Sequence, residues 1–103
     1  MTQYDVHPNP SRRAAEDMPY VVDVQSDLLS DLPTRVLVPL ARPGVIKPSP
    51  HLNPTVDVHG EALTLLANQL VSLPRQVLGP PVASLENRRD DIIAALDFLF
   101  TGI

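Results

Sequence analysis

Residues 20–27 read Tyr-Val-Val-Asp-Val-Gln-Ser-Asp, a run of aromatic and β-branched side chains that ends in polar turn residues. This composition predicts a strand over 20–25 that stops at a turn. Residues 35–40, Arg-Val-Leu-Val-Pro-Leu, come after a second turn and predict another strand. Pro39 has no N–H to donate to a sheet, so we expect it at an edge or a bulge. Together the two strands indicate a mostly β fold.

Prolines extend this pattern along the rest of the chain. The 103 residues include 12 prolines, more than twice the average share of about 5%, and they divide the chain into short segments rich in Val and Leu. We expect loops at residues 7–19 and 41–54, and a tight hairpin turn at His59-Gly60. Residues 67–73 fit a strand or a helix equally well. Further strands are predicted at 4–6, 55–58, 61–66 and 76–79.

The C-terminal segment has the clearest helical pattern. Ser84 or Asn87 is the expected N-cap, and Gly102 is the expected C-cap glycine. Phe98 lies off the apolar stripe, where it is either partly exposed, covered by another part of the domain, or in contact with a partner. The sequence therefore predicts one domain over residues 1–103, a small barrel of antiparallel strands with one amphipathic helix. The apolar stripe consists of Ile92, Ile93, Leu96, Leu99 and Phe100.

Composition excludes several classes of protein. The chain has no cysteine, so it lacks a disulfide framework, a thiolate nucleophile and Cys-based metal sites. Eight Lys and Arg against 12 Asp and Glu give a net charge of −4, whereas nucleic-acid binders usually carry a basic field. The apolar runs are too short to span a membrane, and the N-terminus does not resemble a signal peptide. We therefore expect a cytoplasmic protein without a specific nucleic-acid partner.

The sequence offers no clear set of catalytic or metal-binding residues. The three histidines, His7, His51 and His59, lack the spacing of metal ligands, and no dinucleotide, P-loop or serine-hydrolase motif is present. Asp23 looks like a polar turn residue. Arg35 with a loop histidine is a pair that a ribonuclease uses, but any small protein offers such a pair. We therefore predict no enzyme activity, no catalytic residue, no metal and no cofactor, and a protein that acts by binding another protein.

Four blocks of sequence follow one another in a recognisable order. Residues 22–27 read V-D-V-Q-S-D, followed by two leucines, and residues 35–41 read R-V-L-V-P-L-A. Residues 73–79 read L-P-R-Q-V-L-G, and residues 82–85 read V-A-S-L. These blocks resemble V-D-V-Q-S-D, R-M-V-I-P-L-A, V-P-V-S-V-I-G and V-A-D-L of the CcdB family, the toxins of plasmid-type toxin–antitoxin modules. The terminal helix of the CcdB family and its last residues also match this chain, at Asp91, Ile92, Ala95, Phe100, Gly102 and Ile103.

The resemblance covers nearly the whole chain and is weak only over residues 7–19 and 42–54. It implies an SH3-like barrel, similar also to that of the MazF toxins, and a homodimer formed through the terminal helix region. It further implies a cytoplasmic toxin that binds the A subunit of DNA gyrase, inhibits or poisons this topoisomerase, and serves in plasmid maintenance. A CcdA-like antitoxin neutralises such toxins through a segment that is disordered until it binds.

The gyrase-contact positions of the family map onto eight residues of this chain. Leu28 and Leu29 replace two isoleucines, and Asp97 replaces an asparagine. Thr101 replaces a tryptophan that stacks on a gyrase arginine, and threonine has no aromatic face for such a contact. The resemblance thus implies gyrase binding by Ser26, Leu28, Leu29, Asp97, Phe100, Thr101, Gly102 and Ile103.

Each of these positions also has a purely structural interpretation. Phe100 can belong to the core, Ser26 can bond its local backbone, and Leu28 or Leu29 can fill the barrel. Gly102 and Ile103 can simply end the helix. Two other functions stay open beside gyrase inhibition. One is a CcdB-like protein that has lost gyrase poisoning but still binds its antitoxin, and the other is a MazF-like ribonuclease.

Overall fold

The computed structural model of the protein describes residues 2–102. In this part of the chain seven strands form one sheet, and one α-helix follows them. Short 3₁₀ turns at Asp27–Leu29, Ala67–Gln69, Arg75–Val77 and Glu86–Arg88 connect these elements. The strands are β1 (Asp5–Pro8), β2 (Tyr20–Asp23), β3 (Thr34–Ala41), β4 (Thr55–Val58), β5 (Glu61–Leu65), β6 (Val71–Pro74) and β7 (Ala83–Ser84), and the helix is α1 (Arg89–Thr101).

The long central strand β3 gives the sheet its barrel-like shape. The strand order is β4-β5-β3-β2-β1-β7, every pairing is antiparallel, and β6 also pairs with β3. The first half of β3 pairs with β6, and its last two residues pair with β5. Because β3 holds different partners along one edge, the sheet curls around it. The predicted small antiparallel barrel with one C-terminal helix is confirmed.

Pro39 lies where β3 changes partner. It is opposite Val21 of β2. On the other edge the first residue of β6 pairs with Leu37, and the last residue of β5 pairs with Leu40. The carbonyl oxygen of Pro39 accepts from the Leu66 N–H at 2.9 Å, so the backbone polar groups of this residue point away from β2. No strand needs an N–H at this gap, which explains why a proline is tolerated in the middle of the sheet.

The two faces of the sheet pack in two separate clusters. Val6, Val22 and Val38 are adjacent across β1, β2 and β3, and they pack with Ile92 and Ala95 of α1 in the main core. Side chains alternate between faces along a strand, so the residues between them point to the other side. There Val21 and Leu37 pack with Leu78 and the partly buried Leu73.

Several predicted boundaries are confirmed. His59 and Gly60 both have positive φ, 53° and 81°, as a tight hairpin turn between β4 and β5 requires. Gly102 has φ 74° and donates its N–H to the Phe98 carbonyl at 2.9 Å, so it ends α1 as predicted. Strands 55–58 and 20–25 are present, although the second ends as a strand at Asp23.

Other predictions are wrong. The strand expected at 76–79 is absent, because residues 71–74 pair with β3 and the chain then turns at Arg75–Val77. His7 lies in β1 and not in a loop. The expected N-caps do not cap α1: a 3₁₀ turn precedes the helix, its N-cap is Arg88 without a side-chain bond, and Ser84 Oγ accepts from the Glu86 N–H in that turn.

The apolar stripe of α1 also differs from the prediction. Ile93 is 43% exposed and Phe100 is 71% exposed, whereas Ile92 and Ala95 are buried. The barrel covers only the side of the helix that carries Ile92, Ala95 and the partly buried Leu96. Two of the five residues of the predicted stripe are therefore left at the surface.

Candidate functional site

The candidate residues lie in two places in the described chain. Ser26, Leu28 and Leu29 belong to the 3₁₀ turn after β2 and its N-cap. Asp97, Phe100, Thr101 and Gly102 form the last turn of α1 and its C-cap. Ile103, the eighth predicted position, lies outside the described residues.

The turn at Asp27–Leu29 presents its leucines to solvent. Leu28 is 96% exposed and Leu29 is 49% exposed, so the interpretation that one of them fills the barrel is wrong. Ser26 Oγ accepts from the Leu28 N–H at 3.2 Å, which confirms that this serine bonds its local backbone. Asp27 Oδ1 accepts from the Gln3 N–H at 2.8 Å. These two bonds fix the turn while leaving its apolar side chains uncovered.

The buried side chain of Gln25 connects this turn to the barrel by hydrogen bonds. Gln25 Nε2 donates to the Leu29 carbonyl at 2.9 Å, and Gln25 Oε1 accepts from the Val36 N–H of β3 at 3.1 Å. The Gln25 N–H donates to Asp23 Oδ1 at 3.0 Å. The turn is thereby tied to the central strand of the barrel by side-chain bonds.

A buried ion pair completes this network. Arg35 Nε and Nη2 each lie 2.7 Å from Asp23 Oδ2, and the two side chains are 1% and 0% exposed. The prediction that Asp23 is a polar turn residue is wrong, because it is the last residue of β2 and its side chain is fully buried. Sequence reasoning missed the role of Gln25 and Arg35. The available signal was a run of polar residues alternating with valines at a strand end, followed by an arginine at the start of the next strand.

The end of α1 presents an aromatic ring beside polar groups. Phe100 is 71% exposed, so the interpretation of Phe100 as core is wrong. Thr101 Oγ1 donates to the Asp97 carbonyl at 2.6 Å, which commits the threonine hydroxyl to the helix backbone. Asp97, Thr101 and Gly102 are exposed as well. This helix end therefore offers a partner one ring, one carboxylate and one methyl group.

Phe98 is covered by the long loop between β3 and β4. Its ring centroid lies 5.3 Å from that of His51, with the two ring planes tilted by 43°. Phe98 is partly buried in this position. Of the interpretations for Phe98, coverage by another part of the domain agrees with this contact.

The two groups of candidate residues lie at opposite ends of the helix. Burial raises the pKa of the Tyr4 hydroxyl. The charges of Glu86 in the turn before α1, of Asp90 in its first turn and of Asp27 act on this pKa in the same direction, while Arg89 opposes them. The N-terminal segment also links the turn to the start of the helix: the Gln3 N–H donates to Asp27 Oδ1 at 2.8 Å, and the carbonyl oxygen of the adjacent Tyr4 accepts from the Leu85 N–H at 2.9 Å, just before α1. The helix has 13 residues, about 20 Å at 1.5 Å per residue, so Phe100 lies far from this point. One chain does not bring all the predicted residues together.

The other side chains considered for catalysis or metal binding are already hydrogen-bonded or paired within the fold. His7 is buried with Nδ1 2.8 Å from the Gly79 carbonyl oxygen, and His59 Nε2 lies 2.8 Å from that of Val82. Arg35, the arginine considered for a ribonuclease, is buried and paired with Asp23. Within residues 2–102, no three His, Asp or Glu side chains are grouped as metal ligands. In the same range no helix has the length and apolar character needed to cross a bilayer.

Comparison with known protein families gives one match of nearly full length. The family model described as CcdB protein matches residues 3–102 of this chain. The matched range includes the turn at Asp27–Leu29, the central strand β3 and all of α1. It therefore covers both groups of candidate residues as well as the barrel that carries them. On this match the chain belongs to the CcdB family.

Proposed function

We propose that this protein is the toxin of a type II toxin–antitoxin module and that it inhibits DNA gyrase by binding the A subunit. Membership of the CcdB family supports a toxin of a toxin–antitoxin module that acts without enzymatic chemistry. Gyrase supplies the DNA cleavage, and a protein that binds one state of its cycle more tightly than the others shifts the enzyme towards that state. Such a role takes place in the cytoplasm and needs no cofactor.

The observation that carries this proposal is the exposure of large apolar side chains at the family's contact positions. Leu28 is almost fully exposed and Phe100 is 71% exposed, although the barrel has a complete core of its own. Each lies on an ordered element, a bonded 3₁₀ turn or the last turn of a helix. Exposed apolar groups on rigid supports are typical of surfaces that a protein partner covers.

We place a homodimer contact on the exposed side of α1. Ile93 is 43% exposed and lies three residues before the partly buried Leu96, so the two side chains share one face of the helix. A small barrel gains stability when a second copy covers such a face. A two-fold dimer also provides two copies of each candidate group, which compensates for their separation within one chain. Sedimentation of a monomer at micromolar concentration would contradict this part of the proposal.

For the antitoxin, we expect a small gene immediately upstream that encodes a CcdA-like protein with a DNA-binding head and a tail that is disordered until bound. Coupled folding lets such a tail wrap over a large area of a small toxin. An isolated gene without this neighbour would count strongly against a toxin–antitoxin role.

The experiment is calorimetric titration of the purified protein with the gyrase A fragment of its own host. Thr101→Trp is titrated beside it, and Thr101→Leu serves as the control that adds apolar area without a stacking face. Submicromolar binding by the natural protein supports gyrase as the target. No binding by the natural protein or by Thr101→Trp would overturn the proposal.

A second candidate function is favoured by one observation at the helix end. The Thr101 hydroxyl is bonded to the Asp97 carbonyl, so position 101 offers a partner only a methyl group, and Asp97 adds a negative charge beside it. A CcdB-family protein with these residues can retain its antitoxin and lack gyrase poisoning. Binding restored by Thr101→Trp, but not by Thr101→Leu, would identify this case.

A further inference from the structure

An apolar groove lies on the face of the sheet that points away from α1. Val21 of β2 and Pro39 of β3 form its floor, and Val71 and Leu73 of β6 continue it towards the edge of the sheet. Val77 and the loop 9–11 form its walls. The cavity measures about 400 Å³. The groove is separate from the end of α1 and from the turn at Asp27–Leu29, called the Leu28 turn below. Its residues Val21 and Leu73 pack in the second cluster, with Leu37 and Leu78, and not in the main core with Ile92.

The groove leads to an open strand edge. Among the described residues β6 pairs only with β3, so its other edge has no strand beside it. Backbone N–H and C=O groups alternate along such an edge and can accept an added strand. A segment bound there would direct every second side chain towards Val71 and Leu73, the groove-lining residues of β6.

The charges around the groove indicate the chemistry of its occupant. In residues 2–102 the ion pairs use Arg35, Arg42, Arg88 and Arg89. The remaining arginines, Arg12, Arg13 and Arg75, are exposed and make no ion pair in that range. Arg12 and Arg13 directly follow the wall at Ser11, and Arg75 lies between Leu73 and Val77. The Arg75 guanidinium donates from Nη1 to the Ser30 carbonyl at 3.1 Å, away from the residues that line the groove. A protein of net charge −4 thus places two exposed arginines, Arg12 and Arg13, directly after the wall of one apolar groove.

We propose that this groove binds an extended segment of a partner protein, which adds to β6 as a further strand. Alternate side chains of the segment are apolar and occupy the groove over Val21 and Pro39. Aspartate or glutamate residues flank them and face Arg12 and Arg13. The apolar floor and the strand edge favour a peptide over a nucleic acid, which would offer neither apolar side chains nor a strand backbone.

This surface does not depend on gyrase binding, and its test is separate. Random linear peptides displayed on phage are selected on the immobilised full-length protein, and the enriched peptides are synthesised and titrated by fluorescence anisotropy. We expect enriched peptides with alternating apolar residues flanked by carboxylates. Methylation of backbone nitrogens on one edge of the peptide should abolish binding, and methylation on the other edge should not, because only one edge of an added strand pairs with β6.

Matched variants locate the binding site. Val71→Asp should weaken peptide binding at least about tenfold, as loss of a central contact does, whereas Val45→Asp, at an equally exposed valine outside the groove, should not. Arg12→Ser and Arg13→Ser should each weaken binding about 1.5- to 5-fold at low salt and less at high salt. Lys47→Ser is the charge control. Circular dichroism checks that each variant is folded.

Four results would overturn the proposal. The first is that no peptide is enriched, and the second is that enriched peptides lack carboxylates. The third is binding that Val71→Asp leaves unchanged. The fourth is a change of oligomeric state in Val71→Asp, measured by sedimentation, since it would show that a second copy of this chain occupies the groove.

Discussion

Removing one partner of the buried ion pair beneath the Leu28 turn should strongly destabilise the protein. Arg35→Met leaves the Asp23 carboxylate buried at 0% exposure with only the Gln25 N–H as a charge-stabilising donor. An unpaired buried charge of this kind costs about 3–5 kcal/mol. In a domain of this size each kcal/mol lowers the melting temperature by about 4–8 °C, so we expect a decrease of at least about 12 °C.

The double variant Asp23→Leu/Arg35→Met separates charge burial from packing. Both charges are removed together, so the large electrostatic cost disappears. The Gln25 N–H loses its acceptor, however, and an unsatisfied buried donor costs about 1–3 kcal/mol. The double variant should therefore be less destabilised than Arg35→Met alone.

The assay is urea unfolding followed by circular dichroism at one fixed protein concentration, because association would otherwise shift the midpoint. Asp23→Leu completes the double-mutant cycle. Two outcomes would refute the reasoning: a cost below about 1 kcal/mol for Arg35→Met, against the range expected for a broken buried pair, or single-variant costs that simply add in the double variant.

Three other variants test the surface, the phenol and the helix end. Leu28→Asp should change the free energy of unfolding by no more than about 0.5 kcal/mol, since the side chain is 96% exposed, yet weaken gyrase-fragment binding by calorimetry. Burial raises the pKa of Tyr4 in the fold, so the folded state keeps this proton when the unfolded state has lost it, and stability should fall as pH rises above about 10. Tyr4→Phe should reduce this alkaline loss in melting experiments, and an unchanged pH profile would contradict the assignment. Gly102→Ala should cost about 1 kcal/mol from its positive φ alone, because no atom lies within 4 Å of an added Cβ.

The sequence predicted those parts of the fold that depend on local chemistry. The hairpin at His59-Gly60 and the end of α1 at Gly102 follow from backbone conformations that few residues adopt, so composition alone identifies them. The strands at 20–25 and 35–40 are β-branched runs that end at polar turn residues or prolines. Residues 71–74 could not be assigned in this way, because their strand exists only through pairing with β3.

The candidate site was predictable only where the resemblance supplied positions. Which side of α1 the barrel covers depends on tertiary packing, so periodicity placed Ile93 and Phe100 in the core although both are exposed. The same limit applies to Gln25. Its type and place are visible in the sequence, but its bonds to Leu29 and Val36 join segments that only the folded barrel brings together.

Departures from ordinary protein structure are concentrated around the Leu28 turn. Beneath it the barrel buries the charges of Asp23 and Arg35, and beside it Tyr4 adopts φ 71°, a left-handed conformation that costs a bulky residue about 1–3 kcal/mol. The strained backbone is held there by a bond from the Tyr4 N–H to the Asp23 carbonyl. Such local conflicts are expected at functional sites, where a partner's requirements outweigh the stability of the free chain. The stability of the free chain does not explain why Leu28 is exposed beside a strained Tyr4 backbone and a buried ion pair. A surface that binds a partner protein through Leu28 does explain it.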